Sequence, residues 1–134
     1  MKNVMVCVTQ QKTCERLIRK GFALQGGGEG ELFVIHVSAT GNPFLGSTKE
    51  GEALEYLYEK AKEYEADLTV VRSDDPLGTL SELIEKNKIT HVILGSSRET
   101  IQANNFVLKL KKKIRGKAEL IVVPPEEAEQ PALA

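Results

Sequence analysis

The chain has 134 residues, the size of one domain, and 41% of them are hydrophobic, enough for one core. Charged residues make up 28% and the formal net charge is −1, so no global charge argues for nucleic acid or a membrane as partner. No apolar run approaches the roughly 20 residues of a membrane helix, and the N-terminal "MKNVMVCVTQ", too short in its apolar part for a signal sequence, reads as a strand.

Residues 3–8, "NVMVCV", are a β-branched, apolar run of strand length. Residues 10–13 break it. Cys14, Leu17, Ile18, Gly21 and Leu24 then recur at helical spacing, with Arg16, Arg19 and Lys20 turned away. The glycines of "QGGGEG" stop this helix, because glycine takes the left-handed conformation without steric cost. A second strand, "ELFVIHVSA", follows, then the loop "TGNPFLG". Ser47 and Glu50 form a capping box for a helix whose apolar stripe is Leu54, Leu57, Tyr58, Ala61 and Tyr64. "ADLTVVR" is a third strand. Asp75-Pro76 opens the next helix as N-cap and first helical residue, with Leu77, Leu80, Leu83 and Ile84 facing inward. "ITHVIL" is the fourth strand. The last helix turns Ala103, Phe106, Val107, Leu110 and Ile114 inward and ends at Gly116, and "AELIVV" is the fifth strand. After Pro124-Pro125 the composition is that of a disordered tail, residues 125–134, so the domain is expected over 1–124.

Strands and helices therefore alternate, and the strands are mostly continuous apolar runs, as in a parallel sheet buried on both faces. Right-handed crossovers make this a doubly wound α/β fold with helices on both sides. Ligands in such sheets gather beyond the C-terminal ends of the strands, where strand order reverses. The positions there are Thr9, Gln10, Val37, Ser38, Arg72, Ser73, Gly95, Ser96 and Ser97, with Arg98 beside them.

Most other motifs have a structural explanation. The glycines of "GGGEG" follow a helix and precede a strand, the reverse of the dinucleotide-binding order. There is no Walker A sequence, and Ser96 and Ser97 lack the G-x-S-x-G context of a nucleophile elbow. His36 and His91 lie within apolar strands, without Cys, Asp or Glu at ligand spacing, and read as core residues with one hydrogen bond. Asp74 and Asp75 suit magnesium, but the N-cap role of Asp75 accounts for them more simply. Cys7 and Cys14 match no zinc or redox spacing and read as reduced, half-buried thiols of a cytoplasmic protein. Neither a metal site nor catalysis is expected.

Two segments keep two readings each. In "GSSRET", Gly95 permits close backbone approach, Ser96 and Ser97 offer hydroxyls and N–H groups, and Arg98 offers a charged fork, all at a helix N-terminus. These parts suit an anion, and they equally suit a strand end with Ser97 or Thr100 as helix cap. In "KLKKKIRGK", Lys109, Lys111, Lys112, Lys113 and Arg115 cover the outer face of the last helix, with Lys117 beyond. That is either a solvated face, favoured by the macrodipole, or a docking surface for an acidic protein partner.

Over residues 2–124 the sequence resembles the universal stress protein family, in "NVMVCVT", "ELFVIHV", the long helix before "ADLTVV", and "ITHVILGSS". "CERLIRKG" and "THVILGSSR" resemble more closely the corresponding domain of potassium-responsive sensor kinases of the KdpD type. The resemblance implies a three-layer, Rossmann-like fold of the adenine nucleotide alpha hydrolase kind, with a five-stranded parallel sheet in the order 3-2-1-4-5. It also implies a bacterial, cytoplasmic origin, frequent dimers and, in one subgroup, ATP binding. That subgroup carries a glycine, a second glycine three positions on, and a third ten positions after the second, followed by Ser or Thr. Gly95 matches; Arg98, Leu108 and Lys109 do not, and Thr9-Gln10 replace the acidic residue that often ends the first strand. The expectation is a non-enzymatic signalling domain that senses a small anionic, nucleotide-like ligand, with no cofactor beyond weakly held nucleotide or phosphate. The alternative is a ligand-free interaction module. A homodimer through Glu119–Val123 is expected, because an apolar edge strand invites pairing.

Overall fold

The computed structural model describes residues 2–8, 11–26, 29–38, 41, 49–95 and 101–123. Its elements are β1 (Val4–Cys7), α1 (Gln11–Gln25), β2 (Leu32–Ser38), α2 (Glu50–Glu63), β3 (Asp67–Arg72), α3 (Pro76–Lys86), β4 (His91–Gly95), α4 (Ile101–Lys113) and β5 (Glu119–Val123). All four strand pairings are parallel and the sheet order is β3-β2-β1-β4-β5, the order that the resemblance implies.

Alternate side chains of each strand feed two cores. Val4, Val6 and Val8 join Val34 and Ile93 beneath α1 and α2, through Leu17, Ile18, Ala53, Leu57 and Ala61. Met5 and Cys7 join Ile35, Val92 and Leu94 beneath α3 and α4, through Leu80, Ile84, Leu110 and Ile114. Gly21 seats α1: a Cβ there would run into Val6 Cγ2 and crowd Leu32 Cδ1. Outside the core, α1 and α2 are tied by Glu15, which meets Arg19 and Lys60 at 3.4 Å each. The hydrogen bond from Lys60 is the main reason the Glu15 carboxyl sits below its usual range. Phe22 and Tyr64 stack at a tilt, 5.3 Å apart, at the other end of the same seam.

The base of the sheet is stapled by Asn3. Its Nδ2 donates to the Lys88 carbonyl at 3.0 Å and its Oδ1 accepts from the Glu31 N–H at 3.0 Å. Its own N–H donates to Thr90 Oγ1 at 3.0 Å, and its carbonyl accepts from Thr90 N at 2.8 Å. One buried amide thus joins the starts of β1, β2 and β4.

Asp75 caps α3 as its sequence predicts, accepting from Gly78 N–H at 3.1 Å, with Pro76 as first helical residue. Gly26 follows α1 at φ +76, and Gly116, at φ +83, closes the turn after α4. Several expectations need correction. The residue before α2 is Lys49, whose side chain makes no cap hydrogen bond, so the helix starts later than a Ser47 cap requires; Ser47 itself lies outside the described residues. Tyr58 is 56% exposed, because the inward row of α2 runs Ala53, Leu57, Ala61 and Tyr58 stands a further 100° round. α1 begins at Gln11, earlier than the apolar spacing suggests. Cys7 is buried rather than half-buried, and burial pushes its thiol up to about 12; the Cys14 side chain lies outside the described residues. β3 and β5 are only partly buried, since each is a sheet edge with neighbours on one side. The expected tail also lies outside the described residues.

Candidate functional site

The reversal of strand order falls between β1 and β4. β1 leads through α1 to β2 on one side, and β4 leads through α4 to β5 on the other. Cys7 pairs with Leu94, and continuing that register by one residue sets Val8 level with Gly95. The chain leaves both strands at the same end and re-enters as α1 and α4, so two helix N-termini converge on this crevice. Neither helix has an acidic residue in its first turn, so none of their own carboxylates there competes for the positive dipole end. α3 differs, because Asp75 already occupies its N-terminus.

The described candidate residues do not all meet. Gly95 ends β4 in the crevice. It has no left-handed φ, and a Cβ on it would meet Leu17 Cδ1 at 3.4 Å, an ordinary van der Waals contact, so neither its conformation nor the packing of α1 demands a glycine there. Val37 turns to the α3–α4 face and packs there. Ser38 ends β2, buried, and its carbonyl accepts from Ser73 N–H at 2.8 Å. The Ser73 hydroxyl is engaged locally: it accepts from Asp75 N–H at 3.0 Å and from Thr79 Oγ1 at 2.8 Å. Ser73 therefore builds the start of α3. Thr9, Gln10, Ser96, Ser97 and Arg98 lie outside the described residues.

One residue at this end was not singled out as a site residue in the sequence. His36, 3% exposed, lies 2.8 Å through Nδ1 from the Val8 carbonyl. A carbonyl only accepts, so Nδ1 carries the proton. Burial is the first cause that lowers its pKa, the nearby Arg72 charge adds to it, and the Val8 carbonyl opposes it. A neutral imidazole thus holds the carbonyl of Val8, the residue that follows β1. The available signal was its place two residues before the end of β2. His91 stands at the opposite end of the sheet, 2.8 Å from Thr90 Oγ1. Leu108 and Lys109 fall in the third turn of α4, about 10 Å along the helix from its start, and Leu108 is exposed. Among the described residues no group of three or more His, Cys, Asp or Glu is placed to hold a metal ion. No helix among them is long and apolar enough to cross a membrane.

Comparison with known proteins agrees with this architecture. A putative sensor protein KdpD from Synechocystis sp. is 28% identical over 99 residues, covering 74% of this chain and 26% of that protein, so the chain spans about a quarter of its relative. The hypothetical protein MJ0577 superposes with a TM-score of 0.63 at 16% identity, over 92% of this chain and 96% of that one. A universal stress protein solved in complex with cAMP gives 0.59 at 14% identity, over 90% and 95%. A family protein from Arabidopsis thaliana with AMP bound gives 0.56 at 13% identity, over 92% of each chain. The model of the universal stress protein family matches residues 1–109, which carry the sheet reversal, α1, α3 and most of α4. The chain belongs to the universal stress protein family.

Proposed function

We propose that this chain is a cytoplasmic, non-catalytic regulatory domain that senses a small anionic, nucleotide-like ligand beyond the C-terminal ends of β1 and β4. The observation that carries the reading is the convergence of two acid-free helix N-termini on the reversal point of a parallel sheet. The cAMP and AMP complexes of proteins with this fold support the ligand class. The domain we propose runs over residues 1–124, since β5 beyond the family match completes the same sheet. The absence of catalysis is supported by the two buried reactive groups nearest this end. His36 is held neutral by burial and spends its proton on a backbone carbonyl, and the Cys7 thiol is pushed away from the reactive thiolate.

Triphosphate is expected to bind poorly. In the ATP-binding subgroup the third glycine and its hydroxyl neighbour are small, whereas Leu108 and Lys109 stand well inside α4 and Arg98 replaces the second glycine. Losing two such contacts at ~1–3 kcal/mol each leaves ATP no tighter than about 0.1 mM, from a micromolar starting affinity. Calorimetric titration of the ligand-free protein with magnesium-ATP and with AMP tests this. AMP is expected to bind more tightly than ATP, and Arg98→Ala to weaken it. A low-micromolar dissociation constant for ATP overturns the reading of the glycine positions. No heat with any adenine nucleotide or phosphate favours the second reading, a ligand-free interaction module, whose support is the exposed edge strand β5.

A further inference from the structure

The outer face of α4 belongs neither to the crevice nor to a packing surface of the domain. Residues 109–117 hold six cations and no carboxylate. They are a third of the chain's 18 basic residues, so the other 12 face all 19 carboxylates and the charge outside this stretch is −7. Among the described residues, Lys117 is the only one of the six with an ion pair, to Glu85 at 3.1 Å. The macrodipole favours the three lysines of the last turn, but Lys109 precedes that turn, and Arg115 and Lys117 lie beyond the helix. Leu110 and Ile114 are fully buried on the opposite side and hold the face rigidly outward. On its crest, four residues before Lys112, Leu108 is 57% exposed.

We propose that this face docks an acidic segment of a partner protein, one that sets a row of carboxylates along Lys109 and Lys112 and an apolar side chain on Leu108. The width of the positive strip selects a narrow partner. Glu82 and Glu85 are exposed on the neighbouring α3, on the same side of the sheet, and Glu119 is exposed at the start of β5. An extended anionic surface, such as a bilayer or a nucleic-acid duplex, would meet these carboxylates as well as the lysines. A single segment along the helix crest avoids them. Long-range attraction to the strip would speed encounter and weaken with salt, while Leu108 fixes the register.

The test is fluorescence anisotropy of the full chain with a labelled glutamate-rich peptide carrying one central leucine. Binding is expected at low salt, weakened about fivefold or more by Lys109→Glu with Lys112→Glu, as two exposed ion pairs imply. A control double variant, Lys20→Glu with Lys62→Glu, changes the net charge equally on exposed positions of the opposite face and is expected to bind like the parent. Leu108→Gln is expected to weaken the leucine peptide about threefold or more and to leave a peptide with glutamine in place of the leucine unaffected, a coupling that a purely electrostatic face lacks. All these side chains are exposed, and thermal melts verify that the variants fold. Equal loss in the control, no coupling at Leu108, or tighter binding to phosphatidylglycerol vesicles or duplex DNA than to the peptide would each overturn the proposal.

Discussion

Glu31 donates its backbone N–H to Asn3 Oδ1 at 3.0 Å across 28 residues of chain, while the same Asn3 side chain donates to the Lys88 carbonyl across 85. Two peptide groups that no strand ladder serves are satisfied by one buried amide. Asn3→Ala orphans both, at ~1–3 kcal/mol each, and is expected to lower stability by about 2–4 kcal/mol in urea unfolding. An unchanged midpoint would show that water replaces the amide at no cost.

Two glycines on helices should respond to alanine with opposite signs. At Gly21 the added methyl meets Val6 and Leu32 in the core, so Gly21→Ala is expected to cost about 1–3 kcal/mol. At Gly51 the methyl meets nothing within 4 Å, so Gly51→Ala is expected to stabilise by up to about 1 kcal/mol. Paired thermal melts decide it; stabilisation at Gly21 would mean that α1 can lift off β1 freely.

His36 links stability to pH. Its folded pKa lies below the ordinary 6.5, chiefly through burial. The unfolded chain therefore binds the extra proton as pH falls, and the His36 contribution, fully present above 6.5, is lost as pH drops through the folded pKa. In the His36→Gln variant, whatever its absolute stability, the slope of melting temperature against pH just below 6.5 is expected to flatten. An identical slope in both proteins would assign the dependence to other groups.

The edge strand β5 carries Val122 exposed, whereas β3, at the other edge, is flanked by exposed Asp67 and Arg72. We propose antiparallel pairing of β5 with its copy in a second chain. Sedimentation at micromolar concentration is expected to show a dimer, and Val122→Lys a monomer. A monomeric parent would sink the proposal.

Local features of this fold were legible where one short segment decides the outcome. Asp75-Pro76 and Gly26 read correctly because a cap or a helix stop depends on a few adjacent residues. Strand positions read correctly because β-branched runs are hard to place elsewhere. Asn3 was invisible, since nothing near it in the chain reveals partners 28 and 87 residues away. Tyr58 misled because the pattern Leu54, Leu57, Tyr58 is helical in period, and only the exact rotation of α2 on the sheet separates inner Leu57 from outer Tyr58. At the crevice, topology indicated which strand ends lie together, but not that Ser73 spends its hydroxyl on α3 or that His36 holds Val8.

The arrangement of β1, β4 and β5 also has a mechanical side. β1 and β5 are parallel and both bond to β4, yet the chain enters β1 at the base of the sheet and leaves β5 at the opposite end. Tension applied through Val4 and Val123 therefore slides the two strands past β4 in opposite directions and loads the bonds of the β1–β4 and β4–β5 ladders together, instead of peeling them one at a time. Tethered between two moving bodies, such a domain would act as a stiff strut and transmit a pull to its neighbours before it yielded.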